Sequence, residues 1–364
     1  MKEWNNPYNS FNTMKVLLWR EQMEAIVNQD FMPPIIVDTD PSNRCNYDCI
    51  WCNAYEYMAN GKHDISPDHL LRLADFYAEW GVKATCVAGG GSPLINPGTG
   101  AFLLRLKENG VKAGVITNGS LLNQRYAAIL ASTCRWVGIS IDAATSVTYN
   151  KVKGVSAANA FERVVENTRQ LCDEVSRTKS TCDVCWKYLL HPYNAKEIYE
   201  AAALAKSLGV KDFHMRPVGW DNLSKTSGQG IDDFEPLLSI IDEQVEKALL
   251  LEDGAFHFYG VRHKFQPNMK RKVNFHRCWT LPLILTFGAD GNCHLCFDKR
   301  GDKSLILCRH DPDPHEVLKH WNTERHKKML RDIDVHQCPR CTFGPYNEII
   351  EQVFLTDGMC RDFP

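Results

Sequence analysis

RCNYDCIWCNAY, residues 44–55, places Cys45, Cys49 and Cys52 within one short loop. Three thiols are an awkward set. A structural zinc site takes four protein ligands, and disulfides take an even number. Soft thiolates favour zinc or iron–sulfur clusters. A four-iron cluster held by three cysteines keeps one iron open to a small molecule, which resolves the odd number.

The bulk properties bound the setting. The chain has 364 residues, enough for one large domain or one large and one small. It is 44% hydrophobic and 24% charged, ordinary for a globular chain. A net charge of −2 argues against a dominant surface for nucleic acid or anionic membrane. No eighteen-residue apolar run exists, so no membrane span is expected. The start, MKEWNNPYNSFNTMK, lacks the basic-then-apolar layout of a secretory signal, and a cytoplasmic location is expected. In that reducing setting the fifteen cysteines read as metal ligands or buried thiols rather than disulfides.

Outward from the cysteine loop, helices and strands alternate. Residues 10–28 carry apolar residues at helical spacing. PPIIVDTD (33–40) reads as a strand, and 66–81 as a helix with a Ser66 cap, Pro67 at its first position and Gly81 at its end. Strands follow at KATCVAGG (83–90), 112–118, 136–142, 183–191 and 210–217, separated by helices near 100–109, 121–132, up to about 175, 194–208 and 232–251. Six strands alternating with helices imply parallel β-α units, curled into a barrel or laid out as an open sheet. From about 274, Cys, His and Gly become frequent. A hairpin is expected around Asp290-Gly291, then short helices near 314–321 and 324–332 and a last helix over 345–354.

In parallel α/β folds chemistry collects at the carboxyl ends of the strands. Here those ends carry the cysteine loop, GGGSP (89–93), TNG (117–119), SID (140–142), HPYN (191–194) and HMRP (214–217). Six strands thus deliver polar or glycine-rich tips to one rim.

Cys45-x-x-x-Cys49-x-Trp51-Cys52 resembles the signature of radical S-adenosylmethionine (SAM) enzymes. The resemblance covers roughly residues 33–220. It implies a partial (β/α)6 barrel in which the open iron chelates SAM, whose reductive cleavage yields a 5′-deoxyadenosyl radical that abstracts hydrogen from substrate. It further implies that Trp51 lies near the adenine and that Gly89, Gly90 and Gly91 meet the methionine amino group. Ser92 stands where the family usually has Glu. Ser140 and Asp142 correspond to the pair contacting the ribose. Arg216 is placed for the SAM carboxylate, a natural guanidinium partner. Asn118 is a further SAM candidate, with turn capping as its other reading. Lys187, in the fifth strand, can reach the cavity, with a solvated or rim lysine as the favoured reading.

A second set, Cys278, Cys296 and Cys338-x-x-Cys341, with Gly291 between the first two, resembles the twitch-type extension of some radical SAM enzymes. That implies one auxiliary four-iron cluster; the longer SPASM extension carries further cysteines soon after the last pair. The competing reading is a zinc ribbon of Cys293-x-x-Cys296 with Cys338-x-x-Cys341. In a regular hairpin Cys293 and Cys296 face opposite sides, so only one of them ligates. Cys182, Cys185, Cys86, Cys134 and Cys172 read as core thiols. His310, His315, His320 and His326 read as a solvated linker.

The expected organisation is an N-terminal helical segment (1–31), the barrel (32–255) and a cysteine-rich extension (256–364). The expected function is oxidation of a small hydroxylated substrate, such as a sugar, cyclitol or nucleotide, with an external electron donor such as flavodoxin or ferredoxin. Epimerisation, with Cys308, Cys293 or Cys360 as hydrogen donor, and peptide modification are alternatives. A non-catalytic iron–sulfur carrier or zinc scaffold is the reading from a different class.

Overall fold

The computed structural model describes residues 12–218, 231–262, 265, 272–338 and 341–355. Seven strands run parallel in chain order: β1 (Ile36–Thr39), β2 (Ala84–Val87), β3 (Lys112–Thr117), β4 (Cys134–Ser140), β5 (Asp183–Leu190), β6 (Asp212–Pro217) and β7 (His257–Gly260). Parallel neighbours need crossovers. Helix α1 (Arg20–Val27) precedes the sheet, and the short α2 (Tyr55–Ala59) closes the cysteine loop. The crossovers are α3 (Pro67–Trp80), α4 (Thr99–Glu108), α5 (Gln124–Thr133), the pair α6 (Ser146–Lys153) and α7 (Ala160–Thr178), α8 (Ile198–Ser207) and α9 (Leu238–Leu249). This is the partial barrel with its helices outside.

Local chemistry explains the boundaries. Ser66 caps α3 by accepting the His69 N–H at 3.2 Å, Pro67 occupies the first turn, and Gly81 ends the helix at φ 89°. Alternation along the strands sorts their two faces. The outer face is apolar: Trp186, Phe213 and Phe258 stack on successive strands, with centroids 6.3 and 5.4 Å apart. The Thr39 hydroxyl also points outward, bonded to Tyr77 of α3 and to Thr85. On the inner face Cys86, Ile116, Trp136, Ser140, Lys187, His214 and Arg216 all stay half-exposed, while their outward neighbours are buried. The barrel interior is therefore open.

The extension is continuous with the barrel sheet. β8 (Ile284–Phe287) pairs with β1 in parallel, from Ile36↔Ile284 to Thr39↔Phe287. β9 (Asn292–His294) turns back on β8 at Asp290-Gly291, and β10 (Ile306–Arg309) pairs with β9, making a ten-stranded sheet. Helices α10 (Glu324–Arg331) and α11 (Gly344–Ile349) follow.

Four readings are corrected. Among the described residues the parallel strands number eight, not six: β7 extends the barrel and β8 joins β1 in parallel. β10 adds a third strand to the expected hairpin. The N-terminal segment is a 3-10 helix over Thr13–Trp19 before it becomes α1. His310 and His326 are core residues rather than linker. His310 stacks on His69 at 5.1 Å, shares a 2.9 Å bond with it, and bonds the Gly288 carbonyl at 2.9 Å. His326 sits between Phe31 and Trp321. Burial favours their neutral forms, pushing His310 down to about 4 and His326 to about 3. These rings seal the extension against α3 and the N-terminal segment, so their irregular spacing reflects tertiary contacts.

The end of α6 anchors the cysteine loop. The Asp48 and Ile50 N–H groups donate to the carbonyls of Lys153 and Val152 at 3.2 and 3.1 Å. Gly154 follows at φ 61°, and a Cβ there would lie 2.2 Å from the Asp48 carbonyl oxygen. Gly154→Ala is expected to cost about 1–3 kcal/mol from backbone strain alone, read as a lower urea midpoint. An unchanged midpoint would show that the loop does not rest on α6.

Candidate functional site

The first cysteine set lies where β1 hands over to the loop. Cys45 is exposed, Cys49 and Cys52 are half-buried, and none of the three is in a disulfide. They sit close enough that Cys45 and Cys52 both raise the pKa of Cys49. Burial is the larger cause, pushing that thiol up to about 12, with Lys153 pulling the other way. Binding a metal must therefore displace a proton from Cys49. The Asn118 amide lies 4.0 Å from the Cys45 sulfur and donates to Asn46 at 3.0 Å, while its carbonyl caps the turn by accepting the Ser120 N–H at 3.0 Å. Asn118 thus performs the turn capping and also tethers the cysteine loop.

The glycine run forms a shelf beside this loop. Gly89 has φ 142°, a conformation open chiefly to glycine. A Cβ at Gly90 would fall 2.1 Å from the Tyr57 ring, and one at Gly91 2.2 Å from the Arg44 carbonyl oxygen. The Ser92 N–H donates to that same carbonyl at 2.7 Å. The Ser92 hydroxyl is buried and has no partner among the described residues.

Further round the rim, Trp51 is buried with its ring 5.0 Å from that of His191. Arg216 is half-exposed on the inner face of β6. Ser140 is likewise half-exposed, but Asp142 is not available as expected. It is closed to solvent, with φ 62°. One carboxylate oxygen accepts the Leu189 N–H at 2.7 Å; the other pairs with Lys153 at 2.5 Å and accepts from Ser140 at 3.2 Å. A ribose hydroxyl cannot reach it directly, so Asp142 acts as a strut beneath Ser140. Lys153 escaped sequence reading because only the fold buries it. Burial opposes its charge, yet Asp142 and Cys49 hold its pKa above the ordinary value.

The second cysteine set is built by the extension. Cys278 interacts electrostatically with Cys338 and with Cys296. Burial raises the pKa of both Cys278 and Cys296, and the nearby amides of Thr280 and Leu281 for the first, and of Lys299 and Asp298 for the second, pull against it. Side chains fix both loops. Glu351 accepts the His276 and Arg277 N–H groups, and Asn347 those of Trp279 and Thr280. Asp298 accepts the Thr342 N–H at 2.7 Å, joining the Cys296 loop to the residue after Cys341. Cys293 faces elsewhere: it is buried opposite Cys308 on β10, where burial and then Cys308 raise its pKa, with Tyr77 nearby. Cys293 and Cys308 therefore point toward the outer core. This disfavours both the zinc-ribbon set and their role as hydrogen donors. Cys360 lies outside the described residues.

A buried ion triad connects the two sites. Arg300 pairs with Asp40 at 2.6 Å and Asp38 at 3.3 Å, both acids projecting from the β1 end. Asp40 also accepts the Gly90 N–H. Burial holds Asp38 up at about 7, against the pull of Arg300 and with a push from Asp40.

The first donor set fits iron–sulfur chemistry. The first offers three thiols close enough for Cys52 and Cys45 to raise the Cys49 pKa, with Cys45 facing solvent, a glycine run packed too tightly on Tyr57 and Arg44 to admit a Cβ, and a Ser92 hydroxyl without a partner among the described residues. The second brings Cys278 within electrostatic reach of Cys296 and Cys338, soft thiols of the kind that zinc or iron–sulfur clusters take.

Residues 39–239 match the family described as the radical SAM superfamily. A probable GTP 3′,8-cyclase of Saccharolobus islandicus is 27% identical over 208 residues, 56% of this chain and 62% of that protein. Its Saccharolobus solfataricus counterpart is 25% identical over 210 residues, 57% and 63% of the two chains. The chain thus spans under two thirds of the curated relatives it matches. Among solved structures, Streptococcus suis SuiB bound to S-adenosylmethionine aligns with a TM-score of 0.63 at 15% identity, over 95% of this chain and 81% of that one. Native anSMEcpe with bound AdoMet aligns at 0.57 and 16% identity, over 85% and 87%. These likenesses show the fold.

The Asp38 shift has a stability consequence. Its folded pKa of about 7 lies above the usual carboxylate value of about 4. The folded state therefore binds more protons between those limits, and stability falls as pH rises through that window, then levels off. Asp38→Asn is expected to flatten the fall by a few kcal/mol in urea titrations at successive pH values. An unaltered slope would place the shift elsewhere.

Proposed function

The chain belongs to the radical SAM superfamily, and from that premise we propose that this radical SAM enzyme oxidises a small hydroxylated substrate held inside the barrel. In this reading Cys45, Cys49 and Cys52 hold the SAM-binding four-iron cluster, and Cys278, Cys296, Cys338 and Cys341 hold one auxiliary cluster. Bound there, the two clusters and SAM supply the one-electron chemistry: SAM cleavage and hydrogen abstraction at the first, uptake of the electron left on the substrate at the second.

The residues do the placing. Gly89, Gly90 and Gly91 let the backbone approach the methionine end of SAM, with Ser92 beside them. Arg216 takes its carboxylate, Trp51 flanks the adenine, and Ser140 meets the ribose. Asn118 holds the cysteine loop at its distance. Asp142 and Lys153 keep Ser140 fixed and close that wall to water.

One observation supports the oxidation reading. Cys278 lies within electrostatic reach of Cys296 and Cys338, Thr342 beside Cys341 is bonded to Asp298, and Arg300 ties this region to Asp38 and Asp40 at the barrel mouth. A cluster with every iron ligated by protein suits electron acceptance better than substrate ligation. The match with probable GTP 3′,8-cyclases makes GTP the first compound to test. SAM consumed in step with an oxidised product supports the reading; solvent deuterium at carbon without net oxidation would replace it with epimerisation.

Two variant sets follow. Cys49→Ala is expected to abolish 5′-deoxyadenosine formation in anaerobic assays with dithionite, and retained cleavage would refute the ligand assignment. Cys293→Ser should keep the wild-type iron and sulfide content, whereas Cys296→Ala should lose about half. The reverse pattern would restore the zinc-ribbon ligand set.

A further inference from the structure

The inner wall of the barrel is asymmetric in charge. Among the described residues, its acids toward the strand tips are closed off: Asp38 is 6% exposed, Asp212 3%, and Asp40 and Asp142 0%; Asp183, at the start of β5 on the same face, is half-exposed and paired with Arg135 and Lys211. Asp38 and Asp40 are engaged by Arg300, Asp142 by Lys153, and Asp212 by the Cys185 thiol at 3.6 Å. Lys187 and Arg216, by contrast, both remain half-exposed. Among the described residues, the charged side chains that keep accessible surface toward the tips of this wall are thus the cations Lys187 and Arg216.

Lys187 is installed rather than incidental. A Cβ at Gly138 would lie 2.8 Å from its Cε, so β4 leaves out a side chain where the lysine passes. Next to it, Gly114 makes the same room for Trp136, whose added-Cβ contact would be 2.2 Å. The ammonium then lies 5.5 Å from the Trp136 ring centroid and 3.0 Å from His214 Nδ1. His214 in turn stacks on Tyr259 at 5.2 Å, with 14° between the planes. Lys187 and His214 are register partners, as are Leu189 and Arg216 two residues nearer the tips. The lysine layer therefore lies about 7 Å below the arginine layer. Cys86, Cys185, Asp212 and Arg216 are the other titratable groups that Lys187 senses, and burial lowers its pKa.

We propose that Lys187 and His214 form a subsite that binds an anionic group of the substrate, a carboxylate or a phosphate, with Trp136 and Tyr259 as its aromatic walls. The proposal rests on the radical SAM reading, in which Arg216 serves SAM and the deeper cation is left for the substrate. The earlier expectation of a rim lysine is corrected by the same geometry.

Binding of two probes tests it in anaerobically reconstituted holoprotein: inorganic phosphate, followed by phosphorus line width, and benzoate, followed by saturation transfer. Wild type should bind at least one. Lys187→Gln should weaken that binding at least about tenfold, as expected for loss of a charge-assisted hydrogen bond, and Lys187→Arg should restore most of it. Gly138→Ala, which displaces the lysine without removing its charge, should weaken binding several-fold. Phosphate alone would indicate a phosphorylated substrate, and benzoate alone a carboxylic acid. Equal binding by wild type and Lys187→Gln, or no binding of either probe by wild type, would overturn the subsite. Substrate-independent SAM cleavage by wild type reads the functional assignment separately. Its absence with probe binding intact would sink the function and leave the subsite standing.

Discussion

Strand β1 is held on both sides, and the two cysteine sites depend on that. β2 and β8 both pair with it in parallel over Ile36–Thr39. The strand ends in acids that face inward, and Arg300 from the extension neutralises them. Breaking a buried ion pair by removing one partner typically costs about 3–5 kcal/mol. The cysteine loop leaves from that same end, so its position is set jointly by barrel and extension. One covalent and hydrogen-bonded unit carries both thiol sets.

Around the rim, the groups that support and the groups that remain accessible are different residues. Asp142, Lys153, Asp40 and Arg300 are buried and spent on one another or on backbone N–H groups. Cys45, Gly91, Ser140 and Arg216 keep surface facing out. Charged struts beneath a polar surface fix it without competing for its ligand. Glu351 and Asn347 do the same for the Cys278 loop, using neutral N–H donors of the backbone.

Much of this was legible in the sequence because the signals are local. The Cys45–Cys52 spacing, the Ser66 cap with Pro67 and Gly81, and the β-α alternation each depend on neighbouring residues only. What escaped reading depends on partners far along the chain. β7 is four residues, HFYG, and only β6 makes it a strand. Asp142 looked like a ligand until Lys153 and the Leu189 N–H occupied its oxygens. Lys187 looked like a rim residue until Gly138 opened a path for it. His310 and His326 have no helical spacing because different elements, α3 and the N-terminal segment, bury them. Cys293 and Cys296 were separated in advance, since strand alternation is a local rule; that Cys308 would face Cys293 was not.

The open iron proposed for the Cys45, Cys49 and Cys52 loop is tested most directly by electron paramagnetic resonance of anaerobically reconstituted, dithionite-reduced protein, with and without SAM. In the Cys296→Ala background, which isolates the N-terminal site, a reduced four-iron signal should be present and should change shape when SAM is added. A signal indifferent to SAM, or an iron-poor protein with zinc on that loop, would contradict it.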